Sequence, residues 1–183
     1  NLTGWIGYTL SWTRLQFDSL NFGKKYFARY DRRHDISLVG IYKLKKNIVL
    51  SGTWVYGTGN AVTLPLSEYT ATVHLPGDLR DPSDPDFFDS HHLSPSGPTV
   101  KDYSQKNNFR MPAYHRFDLR IQFHKEKKWG ERIWEISVYN VYNRKNPFYY
   151  YIQYNTVNGK EHGVLNQVSL FPVIPSVTYS FRF

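Results

Sequence analysis

The sequence predicts an all-β fold, an antiparallel transmembrane β-barrel wall of about six strands with short turns at one end and long loops at the other. Three observations predict it: apolar residues recur with period 2, the alternating segments are longer than ordinary strands, and the connections between them alternate in length. Strands crossing a bilayer at a tilt need ~9–11 residues, whereas strands of soluble domains average ~5–6. No segment has the 3.6-residue period of a helix.

The elements follow in order. In 2–13, Leu2, Ile6, Tyr8, Leu10 and Trp12 share a face, with Trp5 the exception among Thr3, Thr9, Ser11 and Thr13 opposite. In 35–44 the apolar row is Ile36, Leu38, Tyr42 and Leu44, and in 48–56 it is Ile48, Leu50, Trp54 and Tyr56. The stretch 114–124 alternates at every position from Arg116 to Phe123. The stretch 133–143 carries Trp134, Ile136, Val138 and Tyr142, with Asn140 interrupting. The last segment, 176–183, alternates from Ser176 to Phe183. Between them lie long loops 14–34, 57–113 and 144–175, expected to be extracellular, and short turns at 45–47 and 125–132, expected to be periplasmic. Trp12, Trp54, Tyr56 and Tyr142 fall at one end of the strands. Tyr42, Phe123, Trp134, Phe181 and Phe183 fall at the other, as expected of two interfacial aromatic girdles. A soluble β-sandwich alternates too; strand length, loop asymmetry and ring position favour the barrel.

Composition narrows the function. The 183 residues include 23 Lys+Arg and 15 Asp+Glu, a net charge of +8, and no cysteine. Disulfides, thiolate metal sites and cysteine nucleophiles are thereby excluded. The basic residues are spread over loops, turns and strand faces without a single stripe, so no nucleic-acid partner is expected. No nucleophile elbow or phosphate loop is present, and no catalytic residue is assigned.

Strand parity assigns Arg116, Asp118, Arg120, Gln122, His124 and Glu135 to the lumen-facing row. The alternating charges Arg116, Asp118 and Arg120 suit an ion-pair network in contact with a plug. Tyr149, Tyr150, Tyr151 and Tyr154 make an aromatic patch on an expected outer hairpin, 148–171, with Asn158-Gly159 in its turn. That patch suits stacking against a sugar, macrocycle or peptide. Asp78, Asp81, Asp84, Asp86 and Asp89 offer oxygen ligands for a structural Ca²⁺, though not at EF-hand spacing. His91 and His92 beside them are weaker candidates for a transition metal. Lys24, Lys25, Arg29, Arg32 and Arg33 form a basic loop cluster suited to lipopolysaccharide phosphates.

Five stretches carry a resemblance to a known family. The closing Val177-Thr178-Tyr179-Ser180-Phe181-Arg182-Phe183 and the element Asn140-Val141-Tyr142-Asn143-Arg144-Lys145-Asn146-Pro147 resemble the C-terminal strands of TonB-dependent outer-membrane receptors. Tyr30–His34, Trp54–Asn60 and Met111–Arg116 look like members with a carboxypeptidase-regulatory-like N-terminal domain. The resemblance implies the last strands of a ~22-stranded barrel in a Gram-negative outer membrane, with the plug and earlier strands elsewhere. Val177, Tyr179, Phe181 and Phe183 would then be the signal read by the barrel-assembly machinery. It implies active import of a scarce solute, of the siderophore, glycan, peptide or cobalamin class, driven through the TonB complex, with a surface lipoprotein as a further partner. Other readings stay open: an eight-stranded barrel or pore using 148–154 and 164–171 as extra crossings, an outer-membrane enzyme, and a soluble β-sandwich binding module.

Overall fold

The computed structural model describes residues 1–70, 99–157 and 160–183. Fourteen strands occur among them, joined by one 3₁₀ turn at Asn21–Gly23. Six build the main sheet: β1 (Leu2–Leu10), β4 (His34–Lys45), β5 (Ile48–Gly57), β10 (Tyr114–Lys127), β11 (Gly130–Tyr139) and β14 (Ile174–Arg182), in the order β1-β4-β5-β10-β11-β14 and antiparallel throughout. The rest are local two-stranded pieces: β2 (Arg14–Leu15) with β3 (Tyr26–Phe27), β6 (Ala61–Val62) with β9 (Phe109–Arg110), β7 (Ser67–Thr70) with β8 (Thr99–Asp102), and β12 (Pro147–Val157) with β13 (Lys160–Ser169). Loop 57–113, expected as an open loop, thus contains two short pairings.

Register carries the alternation from strand to strand. Leu38, Trp54 and Phe117 stand side by side across β4, β5 and β10, and Phe123, Trp134 and Tyr179 across β10, β11 and β14. Because directly paired residues point the same way, one face of the whole sheet is apolar. The other carries Thr9, Asp35, Ser51, Thr53, Arg116, Asp118, Arg120, Glu135, Ser137 and Thr178. Gly52 leaves room on the apolar face for the Phe117 ring, which lies 3.1 Å from where a Cβ would stand.

Nothing packs as a second layer on this sheet: among the described residues, extensive strand contacts occur only between hydrogen-bonded neighbours. Among the described residues only five apolar ones are buried: Tyr26, Ala28, Ala61 and Met111 in the loops, and Ile133 in the sheet. Along the apolar face Leu2 is 72 % exposed, Ile6 77 % and Val177 65 %. An ordinary domain of this length buries about 70 % of its unfolded surface around a core, and the sheet alone does not.

The strand ends differ from the sequence expectation for local reasons. The segment 2–13 is a strand only to Leu10, because the Thr13 amide turns away to donate to Asp31 Oδ1 at 2.6 Å. The expected turn 125–132 contracts to Lys128 and Trp129, since Lys127 already pairs with Gly130. Gly130 takes φ +147°, in the region that favours glycine. The strand expected over 133–143 therefore starts early, and it stops at Tyr139 because Asn140 is left-handed, φ 53°. The segment expected at 176–183 begins at Ile174 and stops at Arg182. The hairpin expected over 148–171 is present as β12–β13, but it pairs only with itself. β11 bonds directly to β14, so 148–154 and 164–171 add no crossings between them.

Candidate functional site

On the polar face the residues assigned to a lumen row stand together and are largely satisfied by one another. Arg116 Nε donates to Asp118 Oδ2 at 2.8 Å, and its Nη1 to the Tyr114 and Tyr139 hydroxyls at 2.7 and 2.9 Å. The guanidinium also lies over the Tyr139 ring, 4.3 Å from its centroid. Arg120 pairs with Glu135 Oε1 at 3.1 Å, Gln122 Nε2 donates to Glu135 Oε2 at 2.7 Å, and His124 Nδ1 meets Glu131 Oε1 at 2.6 Å. These contacts make a lattice inside the sheet. Arg120, about half exposed, is its most open cation.

The lattice joins a knot at the loop end. Asp118 Oδ1 accepts the Asn140 amide at 2.9 Å. The buried Asn140 side chain donates to the carbonyls of Arg144 and Phe171 at 3.0 and 3.1 Å and accepts the Arg144 amide at 3.0 Å. Asn146 bonds both ways to the His115 backbone, at 3.1 and 2.9 Å, and Arg144 Nη2 reaches the Ala113 carbonyl at 3.0 Å. Asn143 Oδ1 accepts the Val173 amide at 3.1 Å. Five polar side chains, Asp118, Asn140, Asn143, Arg144 and Asn146, thereby tie the exit of β11 to β10 and to the entry of β14. Asparagine suits the task because it tolerates left-handed backbone and both donates and accepts.

A second polar centre has no counterpart in the sequence reading. Asp31 is completely buried. Arg110 donates to its carboxylate at 2.5 Å, to its carbonyl at 2.8 Å and to the Gly59 carbonyl at 2.9 Å. Burial alone would raise the Asp31 pKa. The Thr13 amide and the Arg110 and Arg33 charges outweigh that and hold it below the ordinary carboxylate range. Around Phe27, three guanidiniums stack: Arg110 at 5.1 Å, Arg14 at 5.2 Å and Arg33 at 5.7 Å. The basic loop cluster is correspondingly divided. Arg33 also covers the Trp12 ring, and Arg32 pairs with Asp35 at 3.4 Å.

The aromatic patch is divided as well. Tyr149 and Tyr150 line a cleft of about 660 Å³ with Tyr26, Tyr30, Met111, Arg29 and Lys106, a size suited to a small ligand. Burial pushes the Tyr150 phenol above its ordinary value, so it stays protonated and donates to Gln167 Oε1 at 2.8 Å. Tyr151 packs on Tyr149 at 6.2 Å. Tyr154 hydrogen-bonds Glu68, which Lys101 also holds at 2.8 Å; together they keep Glu68 below the ordinary carboxylate range.

Val177, Tyr179 and Phe181 follow one another along the apolar face, with Tyr179 against Trp134 at 4.9 Å. Phe183 stacks on Phe181 at 6.4 Å. Among the described residues no group of three His, Cys, Asp or Glu side chains is placed to hold a metal ion. Asp78, Asp81, Asp84, Asp86, Asp89, His91, His92 and the turn residues Asn158 and Gly159 lie outside the described residues.

No protein-family model, no curated protein and no solved structure matches the chain. The geometry therefore stands without a relative to read it against.

Proposed function

We propose that this chain forms part of the barrel wall of an outer-membrane active importer of the TonB-dependent type. The observation that carries the reading is the uncovered apolar face of a single-layered sheet six strands wide. In water such a face would be a large aggregation-prone patch; hydrocarbon removes the penalty. Its dimensions suit a bilayer. From His115 to Lys125 β10 rises ten residues, about 34 Å at ~3.4 Å each, which a tilt of ~40° reduces to about 26 Å, against an apolar band of ~25 Å in such barrels.

Among the described residues β1 and β14 each have one neighbour, so in this reading further strands close the wall, since an unpaired edge in lipid costs several kcal/mol per orphan group. In this reading the polar lattice faces the lumen, with Arg120 available to a plug. The cleft at Tyr149 and Tyr150 contacts incoming solute, Phe183 and the residues alternating before it serve assembly, and the TonB complex supplies the energy. The test is extraction and gel mobility. The protein is expected in the detergent-dependent membrane fraction, with mobility that changes on heating. Recovery as a soluble monomer in buffer alone would overturn the reading.

A further inference from the structure

Charge on the main sheet is sorted by face and by end. No Asp or Glu stands on the apolar face of the six strands; Asp35, Asp118, Glu126, Glu131 and Glu135 are all on the polar face. The apolar face does carry cations, all in the outermost rungs at the turn end: Lys125, Lys127 and Arg132, together with Lys45, which a bulge after Lys43 brings opposite Ile48 of that face. The run Lys125-Glu126-Lys127 alternates sign as the strand alternates face, so each acid is turned away from the cations beside it.

Lys125 and Arg132 stand directly opposite each other across β10 and β11. Like charges so placed are destabilising unless something neutralises them. None of the four has an acidic partner among the described residues, and Arg132 Nε is shielded from solvent without a hydrogen-bond partner. The next rung inward is Phe123 and Trp134, and the one after is Ile121 and Ile136. Cation, aromatic and aliphatic follow in the order of headgroup, interface and hydrocarbon. At the loop end the same face carries no Lys or Arg in the sheet; Tyr56, His115 and Tyr142 occupy that level instead.

We infer that Lys45, Lys125, Lys127 and Arg132 form a binding surface for the phosphate groups of anionic phospholipids in the leaflet at the turn end. The inference rests on the membrane reading above and adds a lipid class and a leaflet to it. The juxtaposed ammonium and guanidinium groups accept a phosphodiester between them, and the stems of the side chains lie along the apolar band.

The test reconstitutes the protein in phosphatidylcholine vesicles and measures tryptophan quenching by brominated phosphatidylglycerol against brominated phosphatidylcholine at constant ionic strength. The expected result is a preference for phosphatidylglycerol on the order of fivefold or more. It falls toward unity in the K125Q/K127Q/R132Q variant, persists in Arg132→Lys and is unchanged in Lys43→Gln, whose side chain is on the polar face. Quenching by brominated phosphatidylcholine in each variant reports insertion independently of the preference. Equal quenching by the two lipids, or a preference that survives in the triple variant, overturns the inference and leaves the membrane reading standing. Loss of the preference on adding millimolar inorganic phosphate also overturns it, by making the site one for a free anion. Quenching by neither lipid removes the membrane reading and the inference together.

Discussion

Asp31 and Asn140 are the largest fully buried side chains among the described residues, and neither is apolar. Each anchors backbone that β-pairing does not reach. Asp31 is held below its ordinary pKa, so its contribution is complete above the unfolded value of ~3.9 and is lost as pH falls through the folded one. Exchange of the Thr13 amide, which bonds its carboxylate, is expected to be flat between about pH 5 and 8 after correction for intrinsic rates, and to lose protection below pH ~4. Asp31→Asn should cost roughly 2–4 kcal/mol at neutral pH, because Arg110 keeps its charge and loses its partner. Asn140→Ala loses three side-chain hydrogen bonds and puts a Cβ-bearing residue without compensation at φ 53°; a loss of about 3–5 kcal/mol is expected. Asn140→Gly should recover about 1–2 kcal/mol of that, the backbone share, as read from denaturant midpoints. The sequence marks Asn140 as a break in an apolar row. It does not mark Asp31–Arg110, because 79 residues separate the partners and no local pattern joins them.

At the level of the strand, most of the architecture is legible in the sequence. The six segments of the main sheet follow from alternation alone, since a slip of one residue would turn an entire apolar row to the polar side. The ends are less legible, being set by single hydrogen bonds and by backbone sign: Thr13 reaching Asp31, Asn140 turning left-handed, Gly130 opening a two-residue turn. Glycines within the sheet are therefore not equivalent. A Cβ at Gly130 would meet the Arg182 carbonyl of β14, on top of its unusual φ, whereas open space surrounds Gly40. Gly130→Ala is expected to destabilise by more than ~1 kcal/mol and to expose the β14 amides at the turn end to hydrogen exchange. Gly40→Ala should be neutral or stabilising by about 0.4–1 kcal/mol. The aromatic patch shows the limit of counting neighbours along the chain. In β12, Tyr149 and Tyr150 point to opposite sides, and only the placement of β2, β3, β6 and the loops beside them makes both line one cleft.

For the whole molecule, what matters is the solvent of the apolar face. Ile121 lies mid-strand on that face and Ser51 mid-strand on the other. In the proposed bilayer setting, Ile121→Arg should cost about 2–4 kcal/mol in refolding into vesicles, and Ser51→Arg much less. If the face met water, Ile121→Arg would be close to neutral and would improve solubility. The pair of variants therefore reports the environment of the sheet directly.

Alternation, strand length and the spacing of turns are local properties, and from them the sequence by itself determined an antiparallel sheet with one oily and one polar face. The tertiary structure decided which strands meet, that β12–β13 stands apart, and that the charges of the polar face satisfy one another. It also decided where Asp31 and Arg110 are buried. Those outcomes depend on contacts between residues far apart in the chain, whose partners no periodicity within a segment can specify.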